Sequence, residues 1–261
     1  VSQIFNHIAK EYDQNFTHSV VGRAQRELVY NQLDFLSFDW PNTRVLELNC
    51  GTGEDALYMG EKGATVFATD ISLEMVQIAS SKTKILPNVQ CETLDITHID
   101  SYRSNEKFDL IFSNFGGLNC LSPADLKAFL HTAKKKLTSN GKLILVIMPE
   151  FCIWESIYFM GKFKCKEIFR RKIKNGILAN VAGEKVKTYY YSPLKIVKWA
   201  GQFKLHLIAP IGLFVPPSYL NNFFKDKPKL IQKLKKMDQN RRDSFHLSAY
   251  SDHYLICLTS R

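Results

Sequence analysis

Three carboxylates stand where apolar runs of the sequence end: Glu47 within Val45–Leu48, Asp70 after Thr65–Thr69, and Asp95 after Val89–Leu94. Between the first two lies a glycine loop, Gly51-Thr52-Gly53. Glycine lets a backbone approach a ligand closely and turn through left-handed conformations. A carboxylate accepts two sugar hydroxyls at once and balances a nearby positive charge. The set predicts a ligand that carries both a sugar and a cation.

The competing ligand is a phosphate. Gly51-Thr52-Gly53-Glu54-Asp55-Ala56 matches the dinucleotide pattern, and Asp70 follows at the usual distance for a ribose contact. Alone, that points to a nicotinamide or flavin enzyme. A pyrophosphate, however, seeks the bare positive start of a helix. Here the helix opens on Glu54 and Asp55, and Glu47 sits in the strand before it. These acids favour a cationic ligand.

The elements that must position these residues are readable from periodicity. Ile4–Tyr12 and Val21–Leu36 have helical spacing, and Pro41-Asn42 then breaks the chain. Strands are expected at 45–48, 65–69, 89–94, 108–113 and 142–148. Helices are expected at 54–62, from Ser72 as N-cap, and from Ser122-Pro123 to Leu137. Gly63 ends the first of these, and Asn140-Gly141 turns the chain into the fifth strand. Strand and helix alternate from Arg44 to Met148, which implies an α/β, doubly wound, mostly parallel sheet with helices on both faces. In such sheets the ligand lies beyond the carboxyl ends of the strands. From Pro149 to Gly201 the rhythm stops, and a basic, aromatic insertion takes over. A helix over 194–200, a strand over 203–214, a basic helical segment after Pro216-Pro217 and a last strand over 253–259 complete the chain.

The stretch Glu47-Leu48-Asn49-Cys50-Gly51-Thr52-Gly53 resembles the first motif of class I S-adenosylmethionine-dependent methyltransferases, in which an acid in the first strand precedes a glycine loop. That family usually has glycine where Asn49 stands, and asparagine tolerates the left-handed backbone better than most residues. Asp70 falls where the family's acid holds the ribose hydroxyls. Asp95-Ile96 falls where an acid and an apolar contact meet the adenine. Phe108–Asn114 and Asn140–Leu143 match its fourth strand and following turn. Ile8–Asp13 is similar to the entry segment of the ubiquinone and menaquinone biosynthesis methyltransferases, where the tyrosine, here Tyr12, covers the cofactor and a basic residue, Arg23 or Arg26, holds its carboxylate. The resemblance implies a seven-stranded Rossmann-like sheet with an inserted helical and aromatic lid, S-adenosyl-L-methionine as cofactor, and no metal. It implies cofactor contacts from Tyr12, Arg23, Glu47, Asn49, Cys50, Gly51, Gly53, Asp70, Ile71, Met75, Asp95, Ile96, Ser113, Asn114 and Phe115.

The methyl acceptor is less legible. Ser113–Asn119 contains Asn114 and Phe115 but none of the prolines of nucleic-acid amino methyltransferases resembling the N-P-P-Y group. Gly116-Gly117 either lets the backbone approach a ligand or makes a tight turn. His18, Asn119, Tyr191 and Tyr219 are candidate substrate contacts, with Tyr189, Tyr190, His246 and His253 also over the expected pocket. Tyr189–Tyr191 are expected partly in a strand, with alternating direction. Methyl transfer needs an in-line approach, and a base only if the acceptor's proton must leave early, so the catalytic residue stays unassigned.

Composition narrows the remaining classes. The 261 residues carry a formal charge of +10, concentrated at 162–174 and 225–236. That crowding is either a solvated lysine-rich face or a site for an anionic partner. No apolar run is long enough for a membrane span, and the first residues lack the pattern of a signal peptide. Six cysteines form no Cys-x-x-Cys pair, which argues against zinc and suits reduced thiols in a cytoplasm. The chain divides into a helical cover (1–43), a cofactor core (44–148), a lid and substrate region (149–202) and C-terminal strands (203–261). The expected activity is methyl transfer to a small-molecule or lipid-like acceptor. The alternatives are a nicotinamide oxidoreductase, a decayed cofactor fold that binds nucleic acid, or an RNA methyltransferase using the basic insertion. No appended RNA-binding module supports the last two, and nothing in the sequence specifies an oligomeric state.

Overall fold

Runs of period two and period 3.6 fold here as their spacing dictates. The structure, a computed structural model, describes residues 2–181 and 183–260. Helices α1 (Ser2–Tyr12) and α2 (Val20–Phe35) are joined by one wide π-type turn, Asp13–Thr17. Five strands follow, β1 (Arg44–Leu48), β2 (Thr65–Asp70), β3 (Val89–Thr93), β4 (Phe108–Ser113) and β5 (Leu137–Ile147). They alternate with α3 (Glu54–Glu61), α4 (Leu73–Thr83) and α5 (Pro123–Lys136). Beyond β5 come α6 (Ile153–Gly161), a separate hairpin of β6 (Ile177–Val181) and β7 (Glu184–Thr188), and α7 (Pro193–Trp199). The chain ends with β8 (Phe203–Ile211), the short α8 (Asn221–Phe224), α9 (Pro228–Gln239) and β9 (His253–Ser260).

Seven strands make one sheet in the order β3-β2-β1-β4-β5-β9-β8. The first five run parallel, and β9 is antiparallel to both neighbours. The direction reverses at β9, so its first residue, His253, arrives at the same end of the sheet as the carboxyl tips of β1 to β5. The core lies on both faces. Along β5, Ile144 and Val146 pack under α2 and α3, while Leu143, Leu145 and Ile147 pack under α5 and α7.

Local chemistry sets the helix ends. Ser72 Oγ accepts from Met75 N, and Ser122 Oγ accepts from Asp125 N with Pro123 at the first helical position. Gly63 stops α3 with φ +96°. Where structure and sequence reading differ, backbone bonding is the reason. β5 starts at Leu137, which pairs with Phe108, and a register shift at left-handed Asn140 precedes the run from Lys142. β8 stops at Ile211, because Leu213, Phe214 and Val215 donate their N–H groups to the buried Asp238 carboxylate. The hairpin β6–β7 falls inside the stretch read as having no rhythm. Tyr189–Tyr191 follow it as non-strand chain, with Tyr190 and Tyr191 both buried, so the expected alternation does not occur.

A sheet covered on both faces makes a specific prediction. Ile144→Ala and Leu145→Ala point to opposite faces and should each lose about 2–5 kcal/mol in urea unfolding. A near-silent result at either position would mean that one face is open to water.

Candidate functional site

The loop after β1 turns sharply. Asn49 (φ 50°), Gly51 (φ 54°) and Gly53 (φ 80°) are all left-handed within five residues. Asn49 holds this conformation because its side chain is fixed at both ends. Its Nδ2 donates to Asn114 O (2.8 Å), and Ser113 Oγ donates to its Oδ1 (2.6 Å). The side chain fills the space beside Gly117, where an added Cβ would lie 2.2 Å from Asn49 Cγ. Gly117 therefore makes room for the asparagine, which decides between the two readings of the paired glycines at this position. At Gly53 a Cβ would strike Ala79 at 2.7 Å, so that glycine seats α3 on α4.

The three carboxylates stand in or just after the adjacent strands β1, β2 and β3. Asp70 is buried, and its oxygens accept from Gly51 N and Ser72 N, both at 2.9 Å. Burial raises its pKa against the pull of these backbone bonds. Glu47 is 1% exposed, and its Oε2 has no hydrogen-bond partner among the described residues. Burial, then the nearby Asp55 charge, pushes its carboxyl well above the usual range, with Arg26 opposing. An orphaned acid in this position suits a ligand that brings a cation. Asp95 caps the short turn Ile96–His98 by accepting from Thr97 N and Oγ1, and it is part-exposed beside Ile96. Ile71 is exposed. Cys50 is buried, and burial raises its thiol pKa.

The N-terminal helices close over this loop. The Tyr12 ring lies 3.9 Å from where a Cβ on Gly51 would stand. Burial lifts the Tyr12 hydroxyl to about 12. Tyr12 joins Ile8, Ala9 and Met75 in a small apolar cluster between α1 and α4. Asn6 Oδ1 accepts from Ser72 Oγ (2.6 Å). Lys82 Nζ reaches Asp13 and Glu54, each at 3.0 Å, and Asp13 also accepts from Thr52 Oγ1. Burial works against the Asp13 charge, but Thr52 and Lys82 together lower its pKa.

Two sequence expectations meet partners that the sequence did not reveal. Arg23 is bound to its own turn, donating through Nε and Nη2 to His18 O. Arg26 instead faces the loop: it is half-buried, paired with Asp55, stacked 5.0 Å from the Phe115 centroid, and its Nε is unpartnered among the described residues. The acids at the start of α3 are also balanced. Glu54 faces Lys82, and Asp55 accepts from Arg26, Tyr30 (2.8 Å) and Asn114 (2.9 Å). Their repulsion of a phosphate is thus weaker than the bare sequence implies.

On the acceptor side, Phe115 (φ 44°) packs edge-on to Phe16 and to His253. His253 is buried, with Nδ1 3.2 Å from Asp252 Oδ2. Its Nε2 faces Gly116, 3.8 Å from where a Cβ would be. Burial opposes the Asp252 charge, yet His253 and Arg171 hold its carboxyl well below the usual range. Arg171 also pairs with the buried Glu155 of α6, which ties the 149–202 segment to the site.

Two other residues read as substrate candidates make buried bonds to the backbone. Asn119 is fully buried and spends its amide on Met148 N, Met148 O and Tyr189 O. Tyr191 is buried and donates to Leu121 O. His18 is exposed, and Tyr219 packs on Tyr158 at the surface. Sequence reasoning gave no role to Lys82 or Asp252, whose partners, Asp13 and Glu54 for the first and Arg171 and Gln25 for the second, lie far away along the chain. The only local signal was the polar pair Asp252-His253 opening an apolar strand.

Comparison with known proteins bears on this geometry. Residues 45–141 match the family described as a methyltransferase domain. The Arabidopsis thaliana protein named "Probable thiol methyltransferase 2" is 30% identical over 109 residues, 42% of this chain and 48% of that protein. A demethylmenaquinone methyltransferase of Corynebacterium urealyticum is 25% identical over 214 residues, 78% of this chain and 81% of its own length. The chain thus spans about half of the first relative and about four-fifths of the second. Magnesium protoporphyrin IX methyltransferase from Synechocystis, solved with bound SAH, superposes with a TM-score of 0.56 at 14% identity, over 92% of this chain and 83% of that one.

The fit of Asn49 against Gly117 is directly testable. Gly117→Ala should cost about 1–3 kcal/mol through overpacking. Part of that loss should disappear in the Asn49→Gly, Gly117→Ala double variant. Strict additivity in the urea double-mutant cycle would show that the two positions do not touch.

Proposed function

Because its core is that of a class I S-adenosyl-L-methionine-dependent methyltransferase, we propose that this chain transfers a methyl group to a small, apolar, lipid-like acceptor. The cofactor supplies an electrophilic methyl on a sulfonium, and the acceptor must approach it in line. The observation that carries the reading is Glu47, a buried carboxylate with an unspent oxygen beneath a glycine loop.

The chain's own residues divide the work. Glu47 holds positive charge. Asp70 takes sugar hydroxyls on the lone pairs its two backbone bonds leave open. Asp95 and Ile96 receive the adenine, and Tyr12 with α1 excludes water above Gly51. Arg26 offers its free Nε–H to a carboxylate. Asn49, Cys50, Gly53, Ile71, Met75, Ser113 and Asn114 shape the walls. On the acceptor side Phe16 and Phe115 give an apolar surface. His253, steadied by Asp252, takes a proton from an acceptor that must give one up. The relative from Corynebacterium, by its name, acts on demethylmenaquinone. A reduced naphthoquinone is therefore the first acceptor to try here. The six free cysteines support a reducing compartment, the cytoplasm. Among the described residues no helix is long and apolar enough to cross a membrane.

Calorimetry with S-adenosylhomocysteine tests the cofactor site without an acceptor. Binding should be measurable with the wild type and at least about tenfold weaker in Glu47→Gln, equivalent to about 1.4 kcal/mol. The sign of its pH dependence follows from burial. Glu47 keeps its proton to unusually high pH in the free chain, and a bound ammonium favours the charged form. Binding should therefore release a proton and tighten as pH rises through the free-state value. Absence of heat with S-adenosylhomocysteine, together with binding of NADH, would overturn the assignment.

A further inference from the structure

We propose that the outer face of α6 and the loop after it dock on an anionic membrane surface. This goes beyond the methyl transfer proposed above and stands whether or not that reading holds. The sequence of α6 is IWESIYFMG. On a water-facing helix the polar side chains point outward. Here Glu155 and Ser156 are buried, while Ile153, Ile157 and Met160 are exposed at helical spacing. Glu155 and Ser156 share the inner face with Phe159, and the helix is locked in that rotation. Glu155 is held by Arg170 and Arg171, Arg171 by Asp252, and Ser156 Oγ donates to Cys152 O. Rotating the apolar stripe inward would break a buried ion pair, which costs far more than the stripe would gain.

The loop beyond α6 extends the same surface. Phe163 is 94% exposed, and left-handed backbone (φ 55°) places it there. Phe223, 63% exposed, adjoins through the ring contacts of α6 with the α8 region, Tyr158 on Tyr219 and Trp154 on Phe224. Lysines rim this surface. Lys162, Lys164, Lys166, Lys172 and Lys174 are exposed and have no ion-pair partner among the described residues. Lys162 Nζ lies 4.9 Å from the Tyr158 centroid and Lys227 Nζ 3.4 Å from the Phe223 centroid, so cations sit directly against the aromatic side chains of this surface.

Apolar side chains in the centre and cations at the edge match a bilayer with anionic headgroups, where shallow insertion and charge act together. A second copy of this chain fits poorly, since it would bring the same lysines face to face. Nucleic acid would be met by the lysines but would leave Ile153, Ile157 and Met160 against phosphate and water.

Co-flotation of the full chain with lipid vesicles tests the proposal. The protein should float with vesicles rich in phosphatidylglycerol and stay behind with pure phosphatidylcholine. Each lysine near the surface is worth roughly a fivefold gain in affinity, so Lys162→Glu with Lys164→Glu should weaken binding by at least about 25-fold. Ile157→Glu and Phe163→Asp should abolish flotation. Their thermal unfolding and S-adenosylhomocysteine binding should match wild type, since both side chains are exposed and lie outside the cofactor site. Equal binding to both lipids would overturn the proposal. So would flotation that survives Ile157→Glu and Phe163→Asp, a dimer in ultracentrifugation that those variants dissolve, or tighter retention on poly(U) than on anionic vesicles.

Discussion

The Asp55 carboxylate is the constraint on which the site depends. It is buried at the start of α3, where it accepts from Arg26 of α2, Tyr30 of α2 and Asn114 at the tip of β4. One acid thereby joins the N-terminal cover, the glycine loop and the strand that presents Phe115. A buried charge without partners is very costly, and removing one partner from a buried pair typically costs about 3–5 kcal/mol. The three elements consequently cannot shift independently. Burial and the Asp55 charge both raise the Tyr30 pKa, which keeps its hydroxyl a donor. The arrangement also places the Arg26 guanidinium over Phe115, so the same bond sets the polar and the apolar walls together.

A second carboxylate network does the same for the 149–202 segment. Arg171 pairs with Glu155 on one side and Asp252 on the other, and Asp252 faces His253. Gln25 of α2 also donates to Asp252 Oδ2. The two networks therefore touch through α2, and the N-terminal cover and the lid segment are positioned from the same helix. The orientation of α6 follows from this. Glu155 is turned inward to hold Arg171, which fixes the rotation of the helix and leaves Ile153, Ile157 and Met160 on its outer side.

How much of this the sequence revealed depends on the range of the interaction. Elements set by local chemistry were legible: the caps at Ser72 and Ser122, the stop at Gly63, the alternation that makes a parallel sheet, and a left-handed asparagine at position 49. The acids at successive strand ends were legible too, because the topology brings every such tip to one edge. Contacts between residues far apart in sequence were not. Nothing near Arg23 or Arg26 says which of them reaches Asp55, since both lie on one helix and only the crossing of α2 over α3 chooses between them. Asn119 and Tyr191 looked free because their partners, Met148, Tyr189 and Leu121, are backbone groups. The inward face of α6 was hidden for the same reason: a glutamate in an apolar helix reads as its wet side until Arg171 is placed beneath it.

Charge is sorted within the molecule in a way that net charge conceals. Glu47, Asp70, Asp13, Asp55 and Asp252 gather at the strand tips, while unpaired lysines occupy the outer side of the lid. Among these five acids Asp13, Asp55, Asp70 and Asp252 accept hydrogen bonds or ion pairs, while Glu47 Oε2 has no partner among the described residues, and there a bound cation would complete the set. Outside, the lysines have no such partners, and water screens them from one another. The same excess of +10 therefore does not oppose a positively charged cofactor. The pocket's local field is set by buried carboxylates a few ångströms away, where screening is weak, and the distant lysines contribute little to it. A basic protein can in this way hold a cationic ligand at its centre and offer an attractive face to anions at its edge.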